Sequence, residues 1–177
     1  MPPCSFFFCA GLFFCSRDCA RLPFFEMVLE RSDTHPVQTA AEMTASTNLI
    51  QQSLELAGAR CKDLTPLVYR RLFREHPEAE TMFRSEGSEL VKGSMLALTI
   101  DAILDFAGER SGSFRLIDCE VRSHDAYGTP RKLFGEFFRV IADTVRETLG
   151  ADWSPEMEDA WRKLLAEIDM VVAQSDA

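Results

Sequence analysis

Histidine is the residue type in this chain best suited to holding a metal, and the sequence contains His35, His76 and His124. A neutral imidazole can offer one ring nitrogen to a metal while the other nitrogen donates a hydrogen bond that fixes the tautomer. We interpret His35 as a linker residue and His76, in "EHPE", as a turn residue. His124 lies in "RSHDAYGTPRKLF", just before a stretch of helical periodicity. An isolated histidine is ordinarily a surface or core residue, so the role of His124 depends on its context.

Helix start signals recur along the chain after residue 45. "STNLIQQSLELAGARC" opens with Ser or Thr, which predicts that the first helix begins at Ser46. Thr65–Pro66 and Ser154–Pro155 both have the pattern of a cap residue followed by proline in the first turn of a helix. The sequence therefore predicts three well-marked helix starts.

The apolar residues of this region follow helical spacing, and no run alternates convincingly with a period of two. The segment after Pro130 ends at Gly150, and one face of it carries Phe134, Phe137, Phe138, Ile141 and Val145. Another apolar segment, "ELVKGSMLALTIDAILDFAG", ends at Gly108. We predict an all-α domain of about seven helical segments over residues 46–177.

Residues 1–45 differ in composition from the rest of the chain. The apolar run from Phe6 to Cys15 is about ten residues long, whereas spanning a bilayer takes ~20. Three interpretations stay open: a membrane-surface anchor, an unstructured tail, or translated sequence upstream of a true start at Met27 or Met43. We expect a disordered extension or a mis-assigned start, and we assign it no function.

Charge and cysteine content narrow the functional classes. The formal net charge is −9 and the basic residues are scattered among acids, which argues against a nucleic-acid partner because phosphate binding needs a concentrated basic face. Four of the six cysteines lie before residue 20, so disulfides do not hold the domain together and a reducing cytoplasm is expected. We expect no membrane partner, except weakly through the extension.

Three residues at fixed separations give His124 its context. Tyr69 lies eight residues before Pro77, Phe83 lies six after it, and His124 lies 41 after Phe83. With "PLVYRRLFREHPEAETMF", "RSHDAYGTP" and the helix that follows, the sequence resembles the globins, most closely the bacterial single-domain globins and the globin part of flavohaemoglobins. The resemblance covers some 125 to 130 residues, from about Ser46 to Val172. It implies a globin fold whose helices surround a pocket for haem b.

The resemblance also implies roles for individual residues. His124 would be the iron ligand, with its Nδ1–H donating to a carbonyl one turn back or to a neighbouring hydroxyl, which Ser123 offers. Phe83 would pack flat on the porphyrin, and the hydroxyl of Tyr69 would donate to the bound gas. Tyr127, four residues beyond Ser123, is counted among the cofactor contacts.

The distal helix departs from the family pattern, because "ELVKGSMLALTIDAILDFAG" has no His or Gln to place near the gas. Two registers are possible. If Gly93 makes the close contact between helices, Lys92 takes the distal polar position and Leu96 the apolar one; a shift of one residue gives Val91 and Met95 instead. We prefer the first register, because the second would place the Lys92 ammonium in a packed helix interface without a partner, which is costly. Lys92 would then reach a haem propionate.

The resemblance implies reversible binding of O₂ and possible binding of NO. The expected uses are oxygen storage or transport, and oxidation of NO by an enzyme that takes electrons from an external reductase, because no reductase domain follows in the sequence. A haem-based gas sensor and a haem-free helical interaction module are the alternatives. The residues at positions 83 and 124, a phenylalanine and a histidine, argue against the haem-free module.

Overall fold

Seven α-helices make up the part of the chain described by the structure, a computed structural model covering residues 40–83, 88–112 and 115–175. In chain order they are α1 (Ala40–Arg60), α2 (Thr65–Glu75), α3 (Pro77–Glu80), α4 (Ser88–Ala107), α5 (Arg115–Ala126), α6 (Arg131–Leu149) and α7 (Pro155–Gln174). Short 3-10 turns follow α3 and α6, and these described residues contain no strand. The predicted all-α fold of about seven helical segments is confirmed.

The start of the first helix was predicted wrongly. α1 begins at Ala40, so Ser46 lies inside the helix. The Thr47 hydroxyl donates to the carbonyl oxygen of Ala107, which joins α1 to the end of α4. Ser and Thr inside a helix commonly bond to nearby or facing carbonyls, and this explains why their presence alone did not mark the helix start. Residues 1–39 of the predicted extension lie outside the described residues.

The two proline-marked starts have different caps. Ser154 caps α7 as predicted, since its hydroxyl oxygen accepts a hydrogen bond from the Met157 amide at 3.2 Å. At α2, Thr65 is already helical, and the Asp63 carboxylate accepts from the Thr65 amide at 2.9 Å. The Thr65 side chain first, and its amide second, lower the pKa of the Asp63 carboxyl group by hydrogen bonding to it. The predicted cap at Thr65 is therefore wrong, because the acceptor comes from two residues earlier.

Helix α6 is the central element and packs against α1, α2, α5 and α7. Its fully covered apolar side chains recur every three or four residues, as one face of a helix requires: Phe138, Ile141, Val145 and Leu149. Burying each such side chain contributes roughly 1.5–3 kcal/mol to folding. Because α2 and α5 both contact α6, the helices that carry Tyr69 and His124 are positioned by one shared neighbour.

Within residues 40–83, 88–112 and 115–175, no helix combines the length and apolar composition needed to cross a bilayer.

A buried polar contact joins α1 to α7. The Trp161 indole N–H donates to the Ser53 hydroxyl at 2.9 Å, and that hydroxyl donates in turn to the Ile50 carbonyl at 2.7 Å. Both Ser53 and Trp161 are buried. A buried indole without an acceptor is costly, so this contact fixes how the two helices meet.

Replacing Ser53 by alanine should lower the free energy of unfolding by ~1–3 kcal/mol, because the indole N–H of Trp161 loses its acceptor. Urea-induced unfolding followed by tryptophan fluorescence measures this. Ser94→Ala, at an exposed position of α4, is the control and should change the stability by less than ~0.5 kcal/mol. Equal stabilities of the two variants would contradict the role given to Ser53.

Candidate functional site

The position of His124 is set by how α5 ends. Gly128 has a φ of 81°, a left-handed conformation that glycine adopts without steric cost. This lets the Thr129 amide donate to the main-chain carbonyl of His124 at 2.9 Å, and the Gly128 amide donate to the main-chain carbonyl of Asp125 at 2.9 Å. The pattern is the glycine-terminated helix end known as the Schellman motif. His124 therefore lies in the last turn of α5 rather than in a loose connector.

An ion pair then ties this end of α5 to the next two helices. Arg131, at the start of α6, lies 2.7 Å from the Asp125 carboxylate. The same guanidinium donates to the main-chain carbonyl of Ser175 at 2.6 Å, directly after α7. Charge-assisted bonds of this kind are stronger than neutral ones, so three helices hold the turn that carries His124.

The His124 ring has one partnered nitrogen. Nδ1 lies 2.7 Å from the main-chain oxygen of Glu120, one turn back, and 3.6 Å from the Glu120 carboxylate. As Nδ1–H donates to the carbonyl, the lone pair of the neutral ring is on Nε2. Among the described residues none hydrogen-bonds to Nε2. The Ser123 hydroxyl, the other partner considered from the sequence, donates instead to the Cys119 carbonyl at 3.2 Å.

The rest of the His124 surroundings is aromatic and partly open. The Phe134 ring of α6 meets the imidazole edge to face, with ring centroids 5.0 Å apart. The His124 side chain is 25% exposed. The ring is thus held on one side by protein and reachable on another, which suits a ligand to a large flat group.

Tyr69 is the centre of a second aromatic group. Its ring centroid lies 5.3 Å from that of Phe83, 5.9 Å from that of Phe73 and 5.6 Å from that of Phe137. Phe73 and Phe83 also meet, at 5.7 Å. We call these four residues the distal aromatic cluster. Their tilted and edge-on contacts are the arrangements that aromatic rings prefer.

Helix α6 serves both groups. Phe134 contacts His124, and Phe137, one turn later, contacts Tyr69. Residues three apart on a helix share a face. The structure thus brings Tyr69 and Phe83 together directly, and it relates them to His124 through α6, with no ring contact between the two groups among the described residues.

The Tyr69 hydroxyl is buried and partnered. The residue is 3% exposed, and its hydroxyl donates to the main-chain oxygen of Lys92 at 3.2 Å. Burial raises the pKa of the phenol well above its usual value, and the nearby Glu89 carboxylate raises it further. Both effects disfavour the phenolate, so Tyr69 stays a neutral hydrogen-bond donor.

Lys92 lies over this cluster. Its ammonium is 5.2 Å from the Phe73 ring centroid and 5.8 Å from the Tyr69 ring centroid, and it pairs with the Glu89 carboxylate at 2.7 Å. The premise about Gly93 was wrong: a Cβ added there would meet nothing within 4 Å, so Gly93 makes no close helix contact. Lys92 reaches the cluster because its long side chain folds over the rings.

The remaining sequence candidates occupy varied environments. Leu96 is buried and Met95 half-buried, both on α4. Lys92 and Leu96 are four residues apart and share one face of α4, as do Val91 and Met95, so this spacing is common to both registers. Tyr127 is 77% exposed in the turn after α5, and Ser123 is exposed. The structure does not bring these two side chains to the distal aromatic cluster.

Four residues of the site were not picked out from the sequence. Phe134 and Phe137 belong to a predicted apolar face and Phe73 follows Leu72 in an amphipathic helix, and helical spacing alone cannot separate core packing from a pocket wall. Glu89 precedes Lys92 by three residues, a spacing that indicates pairing on a helix but gives no functional signal.

The chemistry of the side chains fits a haem group. Haem iron takes a neutral imidazole nitrogen, and His124 presents Nε2 with its other nitrogen already anchored. The aromatic side chains would supply apolar surface for a porphyrin, and Tyr69 would supply a neutral donor. No group of three or more His, Cys, Asp or Glu in the described ranges is arranged to hold a bare metal ion.

A pH titration tests the environment of Tyr69. Tyr127→Phe leaves Tyr69 as the sole tyrosine of the chain, and its tyrosinate absorbance should appear only well above the ordinary pKa of ~10. Because the folded-state pKa is raised and the unfolded one is ordinary, stability should fall as the pH rises above ~10. This loss should be smaller in the double variant Tyr69→Phe/Tyr127→Phe. Ionisation near pH ~10 in folded protein would contradict the burial.

Comparison with protein families agrees with the all-α fold. The sequence model of the family described as Globin matches residues 67–172, more than half of the chain, and this range includes Tyr69, Phe83, Lys92 and His124. No curated protein matches the sequence. With the seven-helix fold and the family match together, the chain belongs to the globin family.

Proposed function

We propose that this globin binds haem b with His124 as the axial ligand, and that O₂ or another diatomic gas such as NO binds on the side of Tyr69. The observation that carries the proposal is the His124 ring, whose Nδ1 is bonded to the Glu120 carbonyl while Nε2 has no partner among the described residues. When bound, haem supplies an iron atom that coordinates diatomic gases.

On the His124 side, the protein orients the ligand and tunes its strength. The hydrogen bond to the Glu120 carbonyl selects the tautomer with its lone pair on Nε2. The nearby Glu120 carboxylate, 3.6 Å from Nδ1, makes the imidazole more electron-rich. Phe134 limits rotation of the ring by edge-on packing. These contacts support an imidazole that is ready to bind without rearranging.

On the Tyr69 side, the protein supplies a hydrogen-bond donor in an apolar setting. The hydroxyl donates to the Lys92 carbonyl, and rotation away from that carbonyl would redirect it to a gas. Phe83 would pack on the porphyrin, and Leu96, or Met95 in the alternative register of α4, would line the apolar part of the distal side. A donor that stays neutral because its pKa is raised works over the whole physiological pH range.

We assign two uses to gas binding, oxygen storage or transport and oxidation of NO with electrons from an external reductase. A phenol donor slows the loss of O₂, which suits NO oxidation better than rapid delivery. We also propose kinship with the bacterial single-domain globins and flavohaemoglobins, from the motifs around Tyr69, Phe83 and His124, and a cytoplasmic location, from the uneven distribution of cysteines.

Protein expressed with a supply of haem should be red and show a Soret band, and His124→Ala should lose that band because the iron loses its nitrogen ligand. His76→Ala is the matched control, since His76 lies in a turn with its Nδ1 3.6 Å from Glu78, and it should keep the band. Absorption spectra of the ferric and ferrous forms measure both. A colourless wild-type protein would end the haem proposal.

Tyr69→Phe should speed the release of O₂ by about an order of magnitude or more, because a hydrogen bond to a partly charged group contributes ~1.5–3 kcal/mol. Stopped-flow mixing of the oxygenated protein with a ligand that replaces O₂ gives the rate constant. Tyr127→Phe removes the exposed tyrosine and should leave that rate as in the wild type. If Tyr69→Phe released O₂ at the wild-type rate, Tyr69 would not be the donor.

A further inference from the structure

The last turn of α5, which carries His124, has no buried side chain of its own. Val121 is the last residue of α5 that is buried, at 1% exposure. From residue 122 to residue 128 every residue is half-buried or exposed. Two contacts from α6 reach this turn, the Phe134 ring against His124 and the Arg131 guanidinium against Asp125. Because apolar burial ends one turn before His124, these contacts determine where the turn lies.

Arg131 uses all three of its guanidinium nitrogens. Nε and Nη2 lie 2.8 Å and 2.7 Å from the same Asp125 carboxylate oxygen, Oδ2. Nη1 donates to the main-chain oxygen of Ser175 at 2.6 Å and lies 3.5 Å from that of Val172. One planar cation at the start of α6 thus bridges a carboxylate of α5 and the carbonyl end of α7. A lysine ammonium is a single point charge and cannot replace both sets of bonds.

The end of α7 is a firm attachment point for this bridge. Ser175 is 5% exposed, and its amide and its hydroxyl both donate to the main-chain oxygen of Val171, at 3.0 Å and 2.9 Å. A cation is also favoured at the carbonyl end of a helix by the helix dipole. Arg131 therefore ties the His124 turn to a segment that is itself well held.

A second arginine of α6 provides a comparison within the same molecule. Arg139 pairs with Asp169 of α7 and lies 3.7 Å from Glu136 of its own helix, and neither partner is on α5. The Arg139 and Asp169 side chains are 42% and 43% exposed, against 32% and 28% for Arg131 and Asp125. Both arginines join α6 to α7, but Arg131 also contacts the residue that follows His124.

We propose that Arg131 is a positioning residue for His124: by bridging Asp125 and the Ser175 carbonyl, it fixes the orientation in which the imidazole presents Nε2. The consequence at iron rests on the proposed haem binding, whereas the bridge can be tested without haem. Loss of the bridge leaves the tautomer unchanged, because the Glu120 carbonyl still holds Nδ1. It frees the last turn of α5 to tilt, so that Nε2 is presented over a range of angles.

Amide hydrogen exchange tests the bridge in full-length protein, before and after haem is added. The amides of Tyr127, Gly128 and Thr129 close the turn by donating to carbonyls of α5. In Arg131→Met they should exchange about threefold faster than in the wild type, the effect of losing one partly exposed ion pair. Arg139→Met is the matched control and should leave their exchange rates unchanged.

The stretching band of the bond between iron and Nε2, measured by resonance Raman spectroscopy on the ferrous, gas-free protein, tests the orientation of the ring. A tilted imidazole overlaps less well with the iron, so Arg131→Met should shift this band to lower frequency and broaden it. Arg131→Lys should restore the wild-type band only in part, because one ammonium cannot bond to Asp125 and the Ser175 carbonyl together. Arg139→Met should keep the wild-type band.

Unchanged exchange and an unmoved band in Arg131→Met would overturn the inference and leave haem binding intact. Faster exchange without a shift of the band would also overturn it, since Arg131 would then stabilise the turn without orienting the ring. A wild-type band in Arg131→Lys, or an equal shift in Arg139→Met, would contradict the bridge. Absence of a Soret band in the wild type would instead overturn the proposed function, with the exchange rates still showing whether the bridge holds the turn.

Discussion

The hydrogen bond from His124 Nδ1–H to the Glu120 carbonyl, 2.7 Å long, is the interaction on which the site depends. It is made within one helical turn, so α5 alone sets the tautomer of the imidazole. The turn at Gly128 and the contacts of Arg131 with Asp125 and the Ser175 carbonyl then fix α5 against α6 and α7. The local hydrogen bond thus fixes the tautomer of the His124 ring, and the long-range contacts fix the position of that ring in the fold.

Helix α6 contacts both aromatic groups of the candidate site. Its Phe134 and Phe137 project toward α5 and α2, and its buried face, with Ile141 and Val145, anchors it in the core. Moving α6 would therefore change the His124 and Tyr69 surroundings together. Phe134 and Phe137 are three residues apart, and this spacing belongs to the same helical periodicity that predicts α6. One sequence pattern therefore accounts for the helix and for its contacts with both aromatic groups.

The all-α architecture and the Ser154 cap were predictable from residue type and spacing, and the same patterns single out His124 and Tyr69 as the candidate pair on which the proposed function rests. What failed depended on contacts between distant segments. Thr47 bonds to Ala107 across the fold, so it lies within a helix that begins earlier. Gly93 makes no close contact, yet Lys92 still reaches the distal aromatic cluster because a four-carbon side chain spans the gap. The sequence periodicity shows which helix face a residue occupies, whereas the length and conformation of its side chain decide what it contacts.

Tyr69 and Lys92 are linked to each other by two contacts. The Tyr69 hydroxyl donates to the main-chain carbonyl of Lys92, and the Lys92 ammonium lies over the Tyr69 ring. Rotation of the Tyr69 hydroxyl would break its bond to the Lys92 carbonyl, and movement of the Lys92 ammonium would uncover the Tyr69 ring. Each change therefore removes one restraint on the other residue. The Glu89 charge acts on both groups, since it pairs with the ammonium and raises the phenol pKa. Loss of the Glu89 charge would therefore remove the partner of the ammonium and leave burial alone to raise the phenol pKa.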